Sequence, residues 1–148
     1  MHKEGFTVDE AVRAGAEPVS METLLAESDV VTIHVDGRGS NRNLIDAAIL
    51  RRLKPDAILV NTSRGFVIRE DDLASWLAGR PEAQAILDVH AEEPFAADDP
   101  LIALPNAHLA PHLASRTRTA MSNMSWVVRD LWRVLEGEPP HHPAPDPS

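Results

Sequence analysis

The sequence predicts an α/β fold built on a parallel β-sheet with helices on both faces. Three short runs of apolar and β-branched residues, at 29–35, 57–60 and 85–89, have the length and composition of strands. Segments with apolar residues at three- and four-residue steps separate these runs and indicate helices. Strands that alternate with helices in this way are typical of parallel sheets, whose strands are buried and strongly apolar.

The composition limits the classes of protein to which the chain can belong. The chain has 148 residues, a formal net charge of −9 and no cysteine. This length suits one domain, and the negative charge argues against nucleic acid or an anionic membrane as a partner. The lack of cysteine excludes disulfides, thiol catalysis and cysteine-ligated metals. No apolar run approaches the ~20 residues of a membrane span, and residues 1–20 are too polar for a signal peptide, so we expect a cytoplasmic protein.

The elements of the first half follow from their caps and apolar positions. Gly15 suits the end of a first helix, and Ser20 suits the N-cap of a second helix in which Leu24 and Leu25 face the core. Pro55 stops a third helix, because the residue before a proline disfavours helical geometry. In order, we predict a helix at 7–14, a very short strand at 17–19, a helix at 21–27, a strand at 29–35, a polar loop at 37–43 and a helix at 46–53.

The second half continues the alternation and ends in one long helix. Acidic residues at 70–72 suit a helix N-terminus, and Gly79 suits its end. Apolar residues at helical spacing through 121–135 predict a helix of about 20 residues, roughly 30 Å long. In order, we predict a strand at 57–60, a helix at 70–78, strands at 85–89 and 108–110, a helix at 117–136 and a disordered proline-rich tail at 138–148. His141 and His142 in this tail suit solvated side chains better than a metal site, so we expect no metal.

Polar residues gather at the carboxyl ends of three predicted strands. They are His34, the segment 61–64 and Asp88. Because open parallel sheets bind ligands beyond the carboxyl ends of their strands, we expect these residues to belong to one functional site. Arg64 has two interpretations that its own stretch leaves open. It either anchors a carboxylate ligand or forms a surface ion pair with a nearby acid.

Three residues beyond strand ends have complementary chemistry. Arg64 can hold a planar carboxylate by two charge-assisted hydrogen bonds, and His112 can move a proton near neutral pH. Glu93 can orient that histidine and stabilise its charged form. The set suits the oxidation of an alcohol next to a carboxylate, or the reverse reduction, with a nicotinamide ring exchanging the hydride. No single residue is diagnostic, since a lone histidine after a proline is more often structural.

The order of these motifs is more specific than any one of them. The chain contains SDVVTIH at 28–34, LKP at 53–55, NTSRG at 61–65, LDV at 87–89, EP at 93–94 and PH at 111–112. In this order, from about residue 15 to residue 140, the sequence resembles the later part of the nucleotide-binding domain of the D-isomer-specific 2-hydroxyacid dehydrogenases. The resemblance implies an incomplete Rossmann-like doubly wound sheet, with a partial dinucleotide-binding domain at 1–137.

The resemblance also implies an activity and its components. It points to an oxidoreductase acting on CH–OH donors, which interconverts a small 2-hydroxy acid and a 2-oxo acid with NAD or NADP, NAD being favoured. Members of the family commonly dimerise through this domain, so we expect a homodimer or pairing with a longer relative.

Residue roles follow from the resemblance, position by position. Arg64 matches the arginine that binds the substrate carboxylate, His112 the acid/base, and Glu93 the partner of that histidine. Asp88 matches the aspartate that contacts the nicotinamide carboxamide. From the residues alone, however, a carboxylate at a strand end more often satisfies loop amides.

Two further residues match the lining of the family's cofactor cleft. They are Thr62 and His34, which we expect to bind the cofactor. The residues alone favour a cleft-wall or hydrogen-bonding role for His34 over a catalytic one.

The chain departs from the family's pattern mainly by absence. It has no Gly-x-Gly-x-x-Gly turn, and the Gly-Arg-Gly-Ser at 37–40 lacks the third glycine. The substrate-binding half is also missing, and His90 stands where an aromatic residue is common. We therefore expect a truncated member that turns over little or no substrate, with a non-catalytic dimerisation module as the alternative. The strand at 29–35 would become an exposed edge, so the isolated chain would be marginal, pair through that edge or be a fragment of a longer reading frame.

Overall fold

The computed structural model describes residues 8–94, 96–113, 116–124 and 126–141 of the 148-residue chain. They divide between two compact units, Val19–Ala114 on the one hand and Met1–Pro18 with Ser115–Ser148 on the other. Residue 7 of the predicted first helix, and residues 142–148 of the predicted tail with His142, lie outside the described residues.

The larger unit contains one four-stranded parallel sheet. Its strands, in spatial order, are β1 (Val30–Ile33), β2 (Ile58–Asn61), β3 (Gln84–Leu87) and β4 (Ala107–Leu109). Spatial order follows chain order, so every connection steps to the adjacent strand. This confirms the predicted parallel α/β fold. In the described sheet β1 is an edge strand, as expected for 29–35.

Local sequence signals explain where the helices of this unit begin and end. They are α2 (Met21–Glu27), α3 (Ala47–Leu50) and α4 (Glu70–Ala78). Ser20 caps α2 by accepting a hydrogen bond from Thr23 N at 3.1 Å, and Asp46 caps α3 through Ala48 N and Ile49 N. The bounds of α4 are those predicted, with acids in its first turn and Gly79 at its C-cap.

Two predicted elements are wrong in existence or length. Residues 17–19 form no strand: Pro18 offers no N–H donor, and none of the four strands of the described sheet pairs with them. The helix predicted at 46–53 is only the four residues of α3. Beyond Leu50 the backbone tightens into bonds of the i to i+3 type as the chain approaches Pro55.

The core of the larger unit lies on one face of the sheet. Buried side chains of β1, β2 and β3 pack there with Leu25 of α2, Leu50 of α3 and Leu73 of α4. On the opposite face Val30 and Ile86 are about half exposed. The sequence predicted burial of both faces, whereas the structure buries one, because the three helices of this unit contribute to a single core.

The described residues of the smaller unit form three helices, α1 (Val8–Arg13), α5 (Arg118–Met124) and α6 (Trp126–Leu135). Gly15 ends α1 with a φ of +88°, and the bonds from Gly15 N to Val12 O and from Ala16 N to Ala11 O form a Schellman motif. Together α5 and α6 cover most of the predicted helix at 117–136. Residue 125 between them is outside the described residues. None of the helices in the described ranges is long and apolar enough to cross a bilayer.

Candidate active site

The four strands end in register at one edge of the sheet. Their aligned final residues are Ile33, Asn61, Leu87 and Leu109. The residues that follow them, His34, Thr62, Asp88 and Ala110, therefore start four loops along one row. At about 4.8 Å between neighbouring strands, this row extends over roughly 14 Å. The structure thus gathers the polar strand ends as the sequence predicted.

Asn61 shapes the turn that follows β2. Its side chain is fully buried, its Nδ2 donates to Arg64 O at 3.0 Å, and its Oδ1 accepts from Ser63 N at 3.0 Å and Ser63 Oγ at 2.8 Å. One amide therefore satisfies three polar groups and fixes the path of the chain between the strand and Arg64. The sequence marked Asn61 only as a polar strand end.

Arg64 emerges from this turn with an exposed side chain. Its Nη1 donates to Ser63 O at 2.7 Å. Among the described residues no acid forms an ion pair with it, since the ion pairs of this part of the chain involve other basic groups. The surface ion pair that was the alternative for Arg64 is therefore not formed, and Arg64 is one of the residues that line an open pocket.

His112 and Glu93 form a hydrogen-bonded pair. His112 Nδ1 lies 2.8 Å from Glu93 Oε2, and Glu93 Oε1 accepts from His90 N at 3.0 Å. The hydrogen bond from His112, followed by that from the His90 amide, holds the pKa of Glu93 below its ordinary value. His112 has a φ of +52°, in the left-handed region that a residue with a side chain seldom adopts. Such backbone conformations are concentrated at functional sites.

One pocket of about 250 Å³ joins these three residues. It is lined by Arg64, Gly65, Phe66, Val89, His90, Ala91, Glu93 and His112. The structure therefore brings together the three predicted catalytic residues. The three predicted cofactor-binding residues are not part of this lining and lie on the row of strand ends instead.

The contacts of those three residues differ. Asp88 Oδ1 accepts a hydrogen bond from Leu113 N at 2.8 Å. Asp88 thus satisfies a loop amide, which was the alternative to cofactor binding given for it above. His34 is exposed, with its Nε2 2.9 Å from Thr32 Oγ1, and Thr62 is exposed. A cofactor role for these residues stays a prediction.

Two residues that support the site were missed by the sequence reasoning. Gly65 packs against the backbone of His90, where a Cβ atom would overlap the carbonyl group. Glu70 Oε1 accepts from Ala91 N at 2.9 Å, and burial raises the pKa of this carboxyl. Glu70 was assigned only to a helix N-terminus, because nothing in its own stretch indicates a contact 21 residues away.

Comparisons with known proteins identify the family. The family model described as D-isomer specific 2-hydroxyacid dehydrogenase, NAD binding domain, matches residues 3–114. A glyoxylate reductase of Korarchaeum cryptofilum is 42% identical over 132 residues, which cover 85% of this chain and 38% of that protein. The chain thus spans about two-fifths of the length of this relative.

Solved structures show the same likeness. The TT0316 protein from Thermus thermophilus superposes with a TM-score of 0.79 at 39% identity, over 85% of this chain and 40% of that one. A D-isomer specific 2-hydroxyacid dehydrogenase from Xanthobacter autotrophicus Py2, in complex with NADPH and MES, gives a TM-score of 0.72 at 31% identity, over 86% and 41%. With a family model that covers three quarters of its residues and an arginine and a histidine–glutamate pair around one pocket, the chain belongs to the D-isomer-specific 2-hydroxyacid dehydrogenase family, within its NAD-binding domain.

Proposed function

We propose that this chain carries the carboxylate anchor and the acid/base group of an NAD(P)-dependent 2-hydroxyacid dehydrogenase. The reaction interconverts a small 2-hydroxy acid and the corresponding 2-oxo acid. One observation carries the proposal. Arg64 and the His112–Glu93 pair line a single pocket of about 250 Å³, although His112 follows Arg64 by 48 residues in the sequence. That volume suits an acid of a few carbon atoms.

The side chains divide the work of this reaction. Arg64 offers a planar fork of N–H donors to the substrate carboxylate, which orients the neighbouring C2–O group. His112 Nδ1 is engaged by Glu93 at 2.8 Å, so Nε2 is the atom that exchanges a proton with the oxygen on C2. Ionised Glu93 fixes the ring and stabilises its protonated form, which is needed to donate that proton during reduction of a 2-oxo acid.

The residues along the strand ends suit part of a nicotinamide cofactor. When bound, the cofactor supplies or accepts the hydride at its nicotinamide ring. A carboxylate, a hydroxyl and an imidazole at Asp88, Thr62 and His34 match the amide and hydroxyl groups of a nicotinamide riboside. The 148 residues contain no Gly-x-Gly-x-x-Gly turn for the pyrophosphate. We propose NAD rather than NADP as the preferred cofactor, by resemblance alone.

The missing turn leads to an expectation about activity. Because the pyrophosphate would not be held, the nicotinamide ring would be poorly oriented, and we expect this chain alone to turn over little or no substrate. The test is NADH oxidation with glyoxylate, hydroxypyruvate and pyruvate, followed by the absorbance of NADH. Measurable turnover that His112→Ala abolishes would overturn this expectation of low activity and would at the same time support the assigned acid/base.

Binding tests the site without requiring turnover. Oxamate carries a carboxylate beside a carbonyl group, as a 2-oxo acid does, and we expect it to shift the NMR signals of residues 64–66 and of His112. Arg64→Gln should abolish these shifts, whereas Arg38→Gln, which removes an exposed arginine from another loop, should not. If oxamate shifts no signal of the pocket residues in the unmodified chain, the proposed anchor is wrong.

A second candidate function is a non-catalytic module that associates with itself or with a longer relative. The observation that favours it is the apolar side of α6. Val128, Leu131 and Leu135 recur along this helix and are each more than half exposed. Saturable NADH binding in a fluorescence titration favours the enzyme. Absence of NADH binding, with a dimer in sedimentation that Leu131→Glu converts to a monomer, favours the module.

A further inference from the structure

His90 is one of the residues that line the pocket, two residues beyond Asp88. Its side chain is only 2% exposed, although histidine is polar and titratable. A buried imidazole must be stabilised by specific polar contacts, because burial of an unpaired polar group is costly. The contacts of His90 reach both members of the His112–Glu93 pair.

The backbone of His90 holds Glu93. Its N–H donates to Glu93 Oε1 at 3.0 Å, while the second oxygen of the same carboxylate lies 2.8 Å from His112 Nδ1. The Glu93 carboxylate thus bridges the two residues. A shift of His90 would move the oxygen that orients the His112 ring.

The imidazole of His90 holds the segment that carries His112. Its Nε2 lies 3.0 Å from Ala110 O. A carbonyl oxygen only accepts hydrogen bonds, so this nitrogen must carry a proton. Ala110 O also accepts from His112 N at 3.0 Å, in the tight turn that leads into His112 with its positive φ. The carbonyl oxygen of Ala110 therefore accepts hydrogen bonds from both histidines.

Glu70 supports the same loop from α4. Its Oε1 accepts from Ala91 N at 2.9 Å and lies 3.9 Å from His90 Nδ1. The ring of His90 is thus placed between a carbonyl group at the end of β4 and a carboxylate at the start of α4. The hydrogen bond between His90 Nε2 and Ala110 O orients the imidazole, and the Glu70 carboxylate lies beside its other nitrogen.

We propose that His90 is a positioning residue for the His112–Glu93 pair, tying the Glu93 loop to the turn that presents His112. The proposal rests on the function proposed for that pair and adds the residue that sets its geometry. His90 acts through Glu93 by its amide and through Ala110 by its ring.

The first test needs no substitution. Nitrogen-15 chemical shifts of the full chain report which ring nitrogen of His90 carries the proton. We expect Nε2 to be protonated at neutral pH, as donation to Ala110 O requires. A neutral ring protonated only at Nδ1 cannot make this hydrogen bond and would overturn the proposal.

The second test removes the hydrogen bond from His90 to Ala110 O and measures the effect on the His112–Glu93 pair. His90→Phe keeps a flat buried ring but has no donor. We expect it to raise the solvent exchange rate of the His112 Nδ1 proton by about tenfold, the equivalent of one lost buried hydrogen bond. His90→Gln, whose amide can donate to Ala110 O, should restore the slow rate. His108→Phe makes the same substitution at an exposed histidine of β4 and should leave the solvent exchange rate of the His112 Nδ1 proton unchanged.

The outcomes separate this proposal from the proposed function. A folded His90→Phe chain with an unchanged exchange rate overturns the positioning role. If that chain does not fold, His90→Gln and the shorter His90→Asn decide, since only glutamine is expected to keep the slow rate. Failure of the proposed function would appear as absence of oxamate and NADH binding in a chain whose His90 measurements still give the expected results.

Discussion

Gly65 lies so close to His90 that a Cβ atom at position 65 would overlap the His90 carbonyl carbon and oxygen. The two residues belong to different loops, one after β2 and one after β3. The contact therefore joins the turn that presents Arg64 to the loop that carries Glu93. A displacement on one side must be transmitted to the other, because backbone cannot move aside as a flexible side chain can.

The first prediction concerns this contact. Gly65→Ala should lower the free energy of unfolding by about 1–3 kcal/mol, since the loop after β3 must shift to admit a methyl group. Urea denaturation followed by circular dichroism measures the change. Gly39→Ala is the matched control, because no atom lies within 4 Å of a Cβ there. Equal stability of the Gly65→Ala and unmodified chains would contradict the close approach.

The second prediction concerns the turn held by Asn61. Asn61→Ala removes one donated and two accepted hydrogen bonds at a fully buried position. We expect the free energy of unfolding to fall by about 1–3 kcal/mol. The substitution should also weaken oxamate binding, because Arg64 follows this turn. Gln84→Ala removes an exposed amide from β3 and should change stability by no more than ~0.5 kcal/mol. A stability loss as small for Asn61→Ala would show that the turn does not depend on this amide.

The third prediction concerns the pH range in which the His112–Glu93 pair exists. The hydrogen bond from His112 and that from the His90 amide lower the pKa of Glu93 in the folded chain. A lowered carboxyl pKa stabilises the fold above the ordinary value of 4.5, and this contribution is lost as the pH falls through the lowered pKa. Carbon-13 NMR of the Glu93 carboxyl should give a midpoint below 4.5, and His112→Ala should raise that midpoint. A midpoint at or above 4.5 in the unmodified chain would refute the pair.

The fourth prediction concerns Glu70, whose pKa is shifted in the opposite direction to that of Glu93. Burial, opposed by the hydrogen bond from Ala91 N, raises the pKa of Glu70. The stability that a raised carboxyl pKa contributes is present below the unfolded value and is lost as the pH rises through the folded value. Glu70→Gln keeps an acceptor for Ala91 N without the buried charge. Its stability relative to the unmodified chain should therefore increase between about pH 4 and pH 8.

A neighbouring acid provides the control for Glu70. Asp71 is exposed in the same first turn of α4, where its charge favours the helix. Asp71→Asn should lose stability at pH 8 rather than gain it, by about 0.3–1 kcal/mol. The same direction of change in both variants would indicate a general effect of negative charge and not the burial of Glu70.

Elements with strong local signals could be predicted from the sequence. The helix α4 has acids at its start, apolar residues at helical spacing and a glycine at its end, and its bounds match the prediction. The false strand at 17–19 and the overlong α3 show the limit of such signals. A strand exists only if a neighbour pairs with it, and a few apolar positions do not sustain a helix that runs towards a proline.

The sequence was enough to expect Arg64 and His112 close together, but not to identify the residues that support them. Arg64 and His112 follow strands, so parallel topology alone was enough to expect them at one edge of the sheet. The roles of Gly65, Glu70 and His90 depend on contacts between loops that are distant in the sequence. Nothing in the residues next to them distinguishes such a contact from an ordinary glycine, helix-start acid or loop histidine.

The shortest strand of the described sheet, β4, leads to the proposed acid/base, His112. β4 has three residues and only β3 as a neighbour in the described sheet, and the turn beyond it is fastened by Ala110 N to Leu87 O and by Leu113 N to Asp88 Oδ1. Release of this short segment would remove His112 from Glu93 while the core on β1, β2 and β3 stays intact. We therefore expect the fraying of β4 to set the fraction of time for which the His112–Glu93 hydrogen bond is formed. Hydrogen exchange at Ala110 N measures that fraction directly.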